Sequence, residues 1–386
     1  MRRAGIAVCL VMSAVAFAQA GECDNWQQSH PEWIFCDDFE DTGALVRTGR
    51  YFEYDNNGGD FAPTSGVGLA ASRGMRTVWQ QAEVGAGSLK LAFGRNPNGY
   101  MNKQNIRPTE DFREIWYRMY VKMQDGWQGV DPAKLSRATV FTSSADWRQA
   151  MIAHLWSDGA ARLLIDPASC VDGSGNVVCT TYNDFAHLHW LGNRSGVTPI
   201  FDTAHDNTWY CVEAHVKLND PGQANGVQEF WIDGGLEARR ENLNFIGTYS
   251  TYAINAVFFE NYWNSGSVKL QERYFDNIVV STQPIGCVGT GPVRSGAGRL
   301  VGQRDMAVWV TGGARGRQVH VQVAISGDAG TVEAVLYGMG GRVVDEVRQS
   351  GGRARILALA VPVPGVYRLV ARSHGEMLAS RVVVVP

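Results

Sequence analysis

The chain has 386 residues, of which 45% are hydrophobic and 19% charged, and a formal net charge of −3 at pH 7. This length exceeds that of one ordinary domain, and a sequence pI near 6.3, without a basic stripe before residue 289, argues against nucleic-acid binding. No glycine-rich phosphate loop leads from a strand into a helix and no GxSxG motif occurs, which disfavours nucleotide and serine-hydrolase chemistry.

The N-terminal segment has the pattern of a secretory signal. Residues 1–20 begin with two arginines near the start, continue with an apolar stretch and end in AQA, which predicts cleavage after Ala20. The apolar stretch, residues 4–18, is shorter than the roughly 20 residues of a bilayer-spanning helix, and no second one follows. We therefore predict a protein without a membrane span that is secreted or held at the cell surface.

Cysteine usage fits an exported chain. Of the seven cysteines, Cys9 lies in the signal, and the remaining even number predicts three disulfides rather than a zinc site, because no Cys-x-x-Cys pair occurs. Many pairings are open from sequence alone. The favoured set joins Cys23 to Cys36, Cys170 to Cys179 across a GSGN turn, and Cys211 to Cys287.

Alternating polar and apolar residues predict strands through residues 21–288. Between Trp209 and Gly286, three such strands are joined by turns rich in Asn, Asp, Pro and Gly, and a closing strand follows. This pattern predicts an all-β, curved antiparallel sandwich of the jelly-roll type as the main domain. Such a sandwich usually handles carbohydrate when its concave face is polar and aromatic.

Alternation also predicts which side chains share one face of a sheet. A solvated convex face would alternate in the same way, so the pattern leaves open whether any of these faces is a groove. The predicted sets are Cys211, Glu213, His215 and Lys217 on one strand, His154 and Trp156 on another, and Glu114, Trp116, Arg118, Tyr120 and Lys122 on a third.

A composition change near residue 288 predicts a second domain. Residues 289–304 are rich in Gly, Ser and Pro and are interpreted as a linker, and residues 305–386 predict a small immunoglobulin-like β-sandwich. Residues 290–386 contain 12 arginines, no lysine and 6 acidic residues, hence a charge of +6. Residues 21–289 contain 21 basic and 32 acidic residues, hence −11.

Several segments of the main domain resemble the concanavalin A-like jelly-roll polysaccharide lyases, which include alginate, glucuronan and heparin lyases. They are FCDDFED at 35–41, FGR at 93–95, REIWYRMYVKM, AKLSRAT around Lys134, WYCVEAHVKLN, WIDG at 231–234 and the closing YFDNIVVSTQPIG. The resemblance covers about residues 33–286. It implies cleavage of a uronic acid polysaccharide by β-elimination, with no cofactor required.

The resemblance implies roles for individual residues. Lys134 looks like the lysine of the G-K-L-P-G segment of virus-type and mollusc-type alginate lyases, and His154 occupies a basic position on the next strand. Leu164 and Asp166 stand where a Tyr-x-Tyr pair is expected. Either Tyr182 supplies the phenol from a neighbouring loop, or the chemistry differs, or there is none. Lys134, His154 and Tyr182 are thus the acid and base candidates.

Other side chains are expected around the substrate. Arg118, counted among the catalytic residues, or Asn261 is expected near the uronate carboxylate. Glu213 has an alternative role in an ion pair between strands, and Trp263 has one as a cap on the core. The predicted substrate-binding residues are Trp156, Glu213, His215, Asn261, Tyr262 and Trp263.

Acidic residues on the first and last strands of the main domain suggest a structural calcium. Asp38, Glu40 and Asp276 come from strands that are neighbours in this fold, and Glu40 and Asp276 are the predicted ligands. The alternative is that these acids cap the ends of strands.

Three functions stay open from the sequence. The leading one is an exported polysaccharide lyase, the second a non-catalytic lectin-like glycan binder, and the third a glycoside hydrolase using Glu213 with Glu114 or Asp166. The charge of −11 in residues 21–289 favours a neutral glycan unless the groove is locally basic.

The C-terminal strands have a resemblance of their own. GMGGRVVDEV and VPGVYRLVARSHGEMLASRVVVV resemble the sorting domains of type IX secretion, which implies secretion machinery as a partner. Any immunoglobulin-like accessory module would show the same strands.

Overall fold

The computed structural model describes residues 21–45, 50–69, 72–97, 105–129 and 133–288, together with seven strands between residues 306 and 385. The predicted signal (1–20) and linker (289–304) lie outside the described residues. The elements before residue 289 are α1 (Trp26–Ser29), a 3₁₀ turn (Asn57–Gly59), β1 (Trp33–Asp37), β2 (Glu53–Asp55), β3 (Phe61–Ser65), β4 (Arg73–Trp79), β5 (Gly85–Ala92), β6 (Glu114–Met123), β7 (Ala133–Phe141), β8 (Gln149–Ser157), β9 (Arg162–Ser169), β10 (His189–Trp190), β11 (Arg194–Pro199), β12 (Tyr210–Lys217), β13 (Gly226–Ile232), β14 (Gly235–Leu243), β15 (Ala256–Trp263) and β16 (Gln271–Ser281).

These strands form two eight-stranded antiparallel sheets. Sheet A has the order β14-β13-β12-β6-β16-β4-β3, with β1 also paired to β16. Sheet B has the order β10-β9-β8-β7-β15-β5-β2, with β11 also paired to β9. Neighbours in both sheets come from distant parts of the chain, as in β16 beside β6 and β15 beside β7. The predicted all-β jelly-roll sandwich is confirmed.

The inner faces of the two sheets share one core, because each strand alternates apolar residues with polar ones. Tyr117 and Met119 of β6 face inward from sheet A, while Leu135 of β7 and Phe259 of β15 face inward from sheet B. The alternate residues of β7, β8, β9 and β15 therefore lie on the outer face of sheet B.

The three predicted disulfides are confirmed. Cys23 pairs with Cys36, Cys170 with Cys179, and Cys211 with Cys287. The last of these joins β12 of sheet A to the end of the main domain, with a sequence separation of 76.

The outer face of sheet A is covered by the two ends of the main domain. Arg118 of β6 donates to the carboxylate of Glu22, and Glu213 of β12 accepts hydrogen bonds from the backbone N–H groups of Ile285 and Gly286. The alternation of these strands was predicted correctly. However, the face that alternation left open to substrate is occupied by the chain itself.

The described C-terminal residues add two further antiparallel sheets. Their strands are β17 (Met306–Thr311), β18 (Val319–Ser326), β19 (Thr331–Gly338), β20 (Val343–Ser350), β21 (Ala354–Val361), β22 (Gly365–Ser373) and β23 (Glu376–Val385). One sheet has the order β17-β18-β21 and the other β20-β19-β22-β23. None of the helices among the described residues is long and apolar enough to cross a bilayer.

Candidate functional site

A β-bulge in β7 creates the polar centre of the outer face of sheet B. The register against β8 pairs Lys134 with Trp156 and Ser136 with Leu155, so Leu135 has no partner on β8. Leu135 lies in the core, and the Ser136 hydroxyl lies 3.3 Å from the hydroxyl of core residue Tyr117, so two successive side chains face inward. Strict alternation would place residues 134 and 137 on opposite faces. The bulge places both on the outer face.

A buried ion pair occupies the middle of this face. The guanidinium of Arg137, with 0% of the residue exposed, donates from Nε and Nη2 to both carboxylate oxygens of Glu260, at 2.7 and 2.6 Å. Its Nη1 donates to Asn183 Oδ1 at 2.6 Å. Burial alone would raise the pKa of Glu260, but the charge and hydrogen bonds of Arg137 hold it at about 2. The pair is therefore ionised, and its opposite charges cancel.

Lys134 is the cation of this face without a carboxylate partner among the described residues. Its Nζ lies 4.5 Å from the centre of the Tyr262 ring, a cation–π contact. Lys134 is buried. Burial, and next the charge of Arg137, lower the pKa of Lys134 to about 8, while Glu260 opposes the shift. A substantial fraction of Lys134 is thus an unprotonated amine in mildly alkaline solution, which is the form that a general base requires.

His154 is held beside Lys134 and Arg137 with one ring nitrogen unpartnered. Its Nδ1 lies 3.4 Å from the carbonyl oxygen of Asp166, and its ring stacks on Trp156 at 4.6 Å. Its Nε2 is buried without a hydrogen-bond partner. Burial, and then the charges of Arg137 and Lys134, hold the pKa of His154 well below its ordinary value. The ring is neutral, and an Nδ1–H directed at the carbonyl leaves Nε2 as a free acceptor.

Tyr182 lies on the same face, and its role there stays a prediction. The Arg137 guanidinium lies 5.3 Å from the centre of its ring, and its hydroxyl is hydrogen-bonded to Asn183. Burial raises the pKa of Tyr182 well above its ordinary value, so the phenol keeps its proton. Asp166, the residue of β9 that pairs with His154 of β8, is half-buried, and this burial raises its pKa to about 6.

An aromatic strip extends from this centre along the face. Trp156 lies 6.0 Å from Trp190, whose ring stacks in turn on Phe185 at 6.5 Å. Trp190 and Phe185 are 39% and 55% exposed, and Tyr262, on the other side of Lys134, is 41% exposed. Flat, exposed rings in a row can stack on the apolar faces of successive pyranose rings. The predicted binding roles of Trp156 and Tyr262 are compatible with this placement and stay predictions.

Arg118, Glu213 and His215 lie on the outer face of sheet A, opposite the Lys134 face, so the structure does not bring them together with Lys134, His154 and Tyr182. Arg118 is held by Glu22 and by the carbonyl oxygens of Asn277 and Gly286. Glu213 accepts two backbone N–H groups. Asp166 belongs to sheet B, so Glu213 and Asp166 cannot form the predicted carboxylate pair.

His215 belongs to a separate ion-pair network on sheet A. Its ring stacks on Trp116 at 4.2 Å, and its two nitrogens bond to Glu229 at 2.7 Å and Glu114 at 2.9 Å. Arg239 completes the network through Glu229. The predicted Glu114–Glu213 pair is also absent, because Glu114 is engaged by His215. A charged network of this kind supports the sheet and leaves His215 no free ring nitrogen.

Asn261 and Trp263 face the core, so the structure does not bring them to the face that carries Lys134. Asn261 accepts hydrogen bonds from Arg273 and donates to the Gly87 carbonyl. Trp263 stacks on Trp127 at 5.6 Å and is buried, which is the alternative that the sequence left open. Alternation along β15 separates the three residues that were grouped from the sequence: Tyr262 faces outward with Glu260, whereas Asn261 and Trp263 face inward.

The predicted calcium ligands are engaged by the protein's own backbone. Asp276 Oδ2 accepts the N–H of Leu69 at 2.6 Å, and Glu40 Oε1 accepts the N–H of Arg73 at 2.7 Å. Burial, with the nearby carboxylates adding to it, raises the pKa of Asp276 to about 7. No group of three or more His, Cys, Asp or Glu residues in the described ranges is arranged to hold a metal ion. Calcium binding remains a prediction.

Sequence reasoning missed Glu260, Asn183 and Trp190. The alternation of FFENYW was a usable signal for Glu260, since it places this carboxylate beside Tyr262. Asn183 and Trp190 lie in or beside the irregular segment between β9 and β11, where no period indicates direction.

No protein-family model matches the chain, and no curated protein matches its sequence. Solved structures with similarity include an alginate lyase from a Chlorella virus, with 13% identity and a TM-score of 0.45, the alignment covering 61% of this chain and 96% of that one. An endo-β-1,4-glucuronan lyase from the fungus Trichoderma reesei has 12% identity, a TM-score of 0.40 and coverage of 65% and 91%. An alginate lyase from Aplysia kurodai has 10% identity, a TM-score of 0.45 and coverage of 64% and 98%. The function is therefore inferred from this chain's own residues.

Proposed function

We propose that the outer face of sheet B is the active site of an exported polysaccharide lyase that cleaves a uronic acid-containing glycan by β-elimination. The observation that carries the proposal is Lys134, a buried amine with a pKa of about 8 and no carboxylate partner among the described residues. A solvated surface lysine would keep its ordinary pKa and be protonated throughout the neutral range.

In the proposed reaction, the neutral Nζ of Lys134 takes the proton from C5 of the uronate. The electron pair of that C–H bond forms the C4–C5 double bond as the bond between C4 and the glycosidic oxygen breaks. Tyr182 gives its phenolic proton to the leaving oxygen, since its raised pKa keeps it protonated until then. His154, whose pKa burial and the neighbouring cations hold low, stays neutral beside Lys134, and the exposed rings of Trp190 and Tyr262 hold neighbouring sugars.

The test incubates the purified protein with alginate, glucuronan, a heparinoid, pectate and neutral glucans. Ultraviolet absorbance of the unsaturated product and the formation of reducing ends are followed together. We expect absorbance to appear with a uronate polymer and its rate to rise with pH through about 8, the pKa of Lys134. Lys134→Ala should lower the rate by on the order of 100-fold or more, as loss of a general base does. Lys217→Ala, which changes a half-buried lysine of sheet A, is the control. Reducing ends without absorbance would contradict elimination.

A non-catalytic glycan binder has one specific observation in its favour. The charge of Arg137, the guanidinium next to Lys134, is already neutralised by Glu260, so it is not free to neutralise a uronate carboxylate. If the protein is a non-catalytic glycan binder, neither unsaturated product nor reducing ends will form, and the protein will be retained on an immobilised glycan. Trp190→Ala would abolish that retention, whereas Lys134→Ala would change it little. Product formation at a rate that depends on Lys134 would exclude this alternative.

A further inference from the structure

A buried arginine of sheet A reaches across the core to the back of the Lys134 site. Arg273 lies on β16, and its Nη2 donates to the carbonyl oxygens of Lys134 at 3.0 Å and Glu260 at 2.8 Å. The same Nη2 donates to Asn261 Oδ1 at 2.6 Å, and Nε adds a bond of 3.2 Å to that oxygen. One guanidinium thus contacts both strands that carry the charged groups of the opposite face.

These contacts fall where the strands depart from regular pairing. Between β7 and β15 the register pairs Ser136 with Phe259 and then Lys134 with Tyr262, leaving two residues of β15 opposite one of β7. Glu260 and Asn261 are those two residues. Bulges bend a strand and re-aim its side chains, and they leave carbonyl groups without ladder partners. The Arg273 fork donates to carbonyl oxygens at this irregularity.

Arg273 is an unusual residue for a core. It is 0% exposed, its guanidinium carbon lies 5.7 Å from the centre of the Trp79 ring and 5.1 Å from that of the Phe275 ring, and its Nη1 has no hydrogen-bond partner. No carboxylate forms an ion pair with it in the described part of the chain. Burial lowers the pKa of Arg273 to about 9, which leaves it charged near neutrality. Because an unpaired buried charge is costly, an apolar side chain would serve simple packing better.

We infer that Arg273 is a positioning residue that locks the paired bulges of β7 and β15 and so holds Lys134 and the Arg137–Glu260 pair on one face. Without this lock, β7 can relax toward regular alternation, in which residues 134 and 137 point to opposite faces. The inference rests on the proposed function only in that it treats Lys134 as the functional side chain of this face. The contacts hold for either a lyase or a binder.

The test measures the protonation of Lys134 directly, so it does not depend on activity. The full chain is acylated with an amine-reactive reagent across a pH series, and mass spectrometry of peptides gives the midpoint for each lysine. Arg273→Lys keeps the positive charge but loses the planar fork that contacts both carbonyls and the amide. Lys134 is the second residue of β7, so a side chain released from this face reaches solvent at the start of the strand, and we expect its midpoint to move from about 8 toward its ordinary value of 10.5. At pH 8 its labelling rate should then fall by up to about 100-fold.

Two controls separate positioning from general destabilisation. Arg118→Lys alters another buried arginine that bonds to two carbonyl oxygens, but on the far face of sheet A, and it should leave the Lys134 midpoint unchanged. Lys217, on the same far face, is the internal control in every variant. If Arg273→Lys does not fold, Asn261→Ala removes one anchor of the fork and should shift the midpoint in the same direction. A folded variant at either position with an unchanged Lys134 midpoint overturns the inference, as does an equal shift in Arg118→Lys.

Discussion

Removal of one partner of the Arg137–Glu260 pair should destabilise the main domain strongly. Glu260→Gln keeps the size of the side chain but leaves a fully buried guanidinium without its counter-charge. Breaking a buried ion pair in this way typically costs about 3–5 kcal/mol. The pKa gives a similar figure: a carboxyl lowered from 4.5 to about 2 gains about 3 kcal/mol from its surroundings at neutral pH. This loss is a large part of the roughly 5–15 kcal/mol that stabilises a typical domain.

Urea unfolding of the wild type, Glu260→Gln, Arg137→Met and the double variant measures this effect. We expect each variant to lower the urea concentration at the unfolding midpoint without changing the slope of the unfolding free energy against urea concentration. The double variant should lose less unfolding free energy than the two single variants lose together, by about 2 kcal/mol or more. The pH dependence has a defined sign. Because folding lowers the pKa of Glu260, its contribution is complete above about 4.5 and is lost as the pH falls toward 2. The reasoning is refuted if the losses of unfolding free energy in the two single variants add up to that of the double variant, or if Glu260→Gln loses less than about 1 kcal/mol.

Two further predictions concern parts of the fold away from this face. Burial disfavours the charged ring of His215, but its two carboxylate partners raise its pKa above 6.5, so its contribution to stability is complete below about 6.5 and lost as the pH rises through the folded-state value. Thermal unfolding should therefore show the gap between the wild type and His215→Gln narrowing at alkaline pH, and a gap constant with pH would contradict this. For disulfides, sequence separations of 76 and 9 correspond to about 4 and about 3 kcal/mol in the chain-entropy model. Replacing Cys211 and Cys287 by Ala should thus lower the unfolding midpoint more than replacing Cys170 and Cys179, and the reverse order would argue against that model here.

Local patterns predicted much of the architecture. Alternation identified the strands of both sheets, and it correctly placed His154 with Trp156 and Arg118 with Glu114, because side-chain direction in a strand depends only on neighbouring residues. The cysteine pairs favoured among the many that the sequence permits were also confirmed. The pair Cys170–Cys179 flanks a short turn, and Cys211 and Cys287 lie at the start of a long strand and the end of the domain.

Which residues form the site depends on contacts between distant segments of the chain, and no local sequence pattern predicts such contacts. Alternation shows which residues share a face, but not whether another segment covers that face, as residues 285 and 286 cover Glu213. The bulge at Leu135 is the clearest case. By alternation alone Lys134 and Arg137 would be separated, and the tertiary structure joins them because Arg273, far along the chain on the opposite sheet, donates to the irregular backbone. The sequence by itself thus determined strands and the faces that their side chains share. Strand order, cysteine pairing, the covering of one face and the bulge arise from packing between distant segments, and these decided which residues form the site.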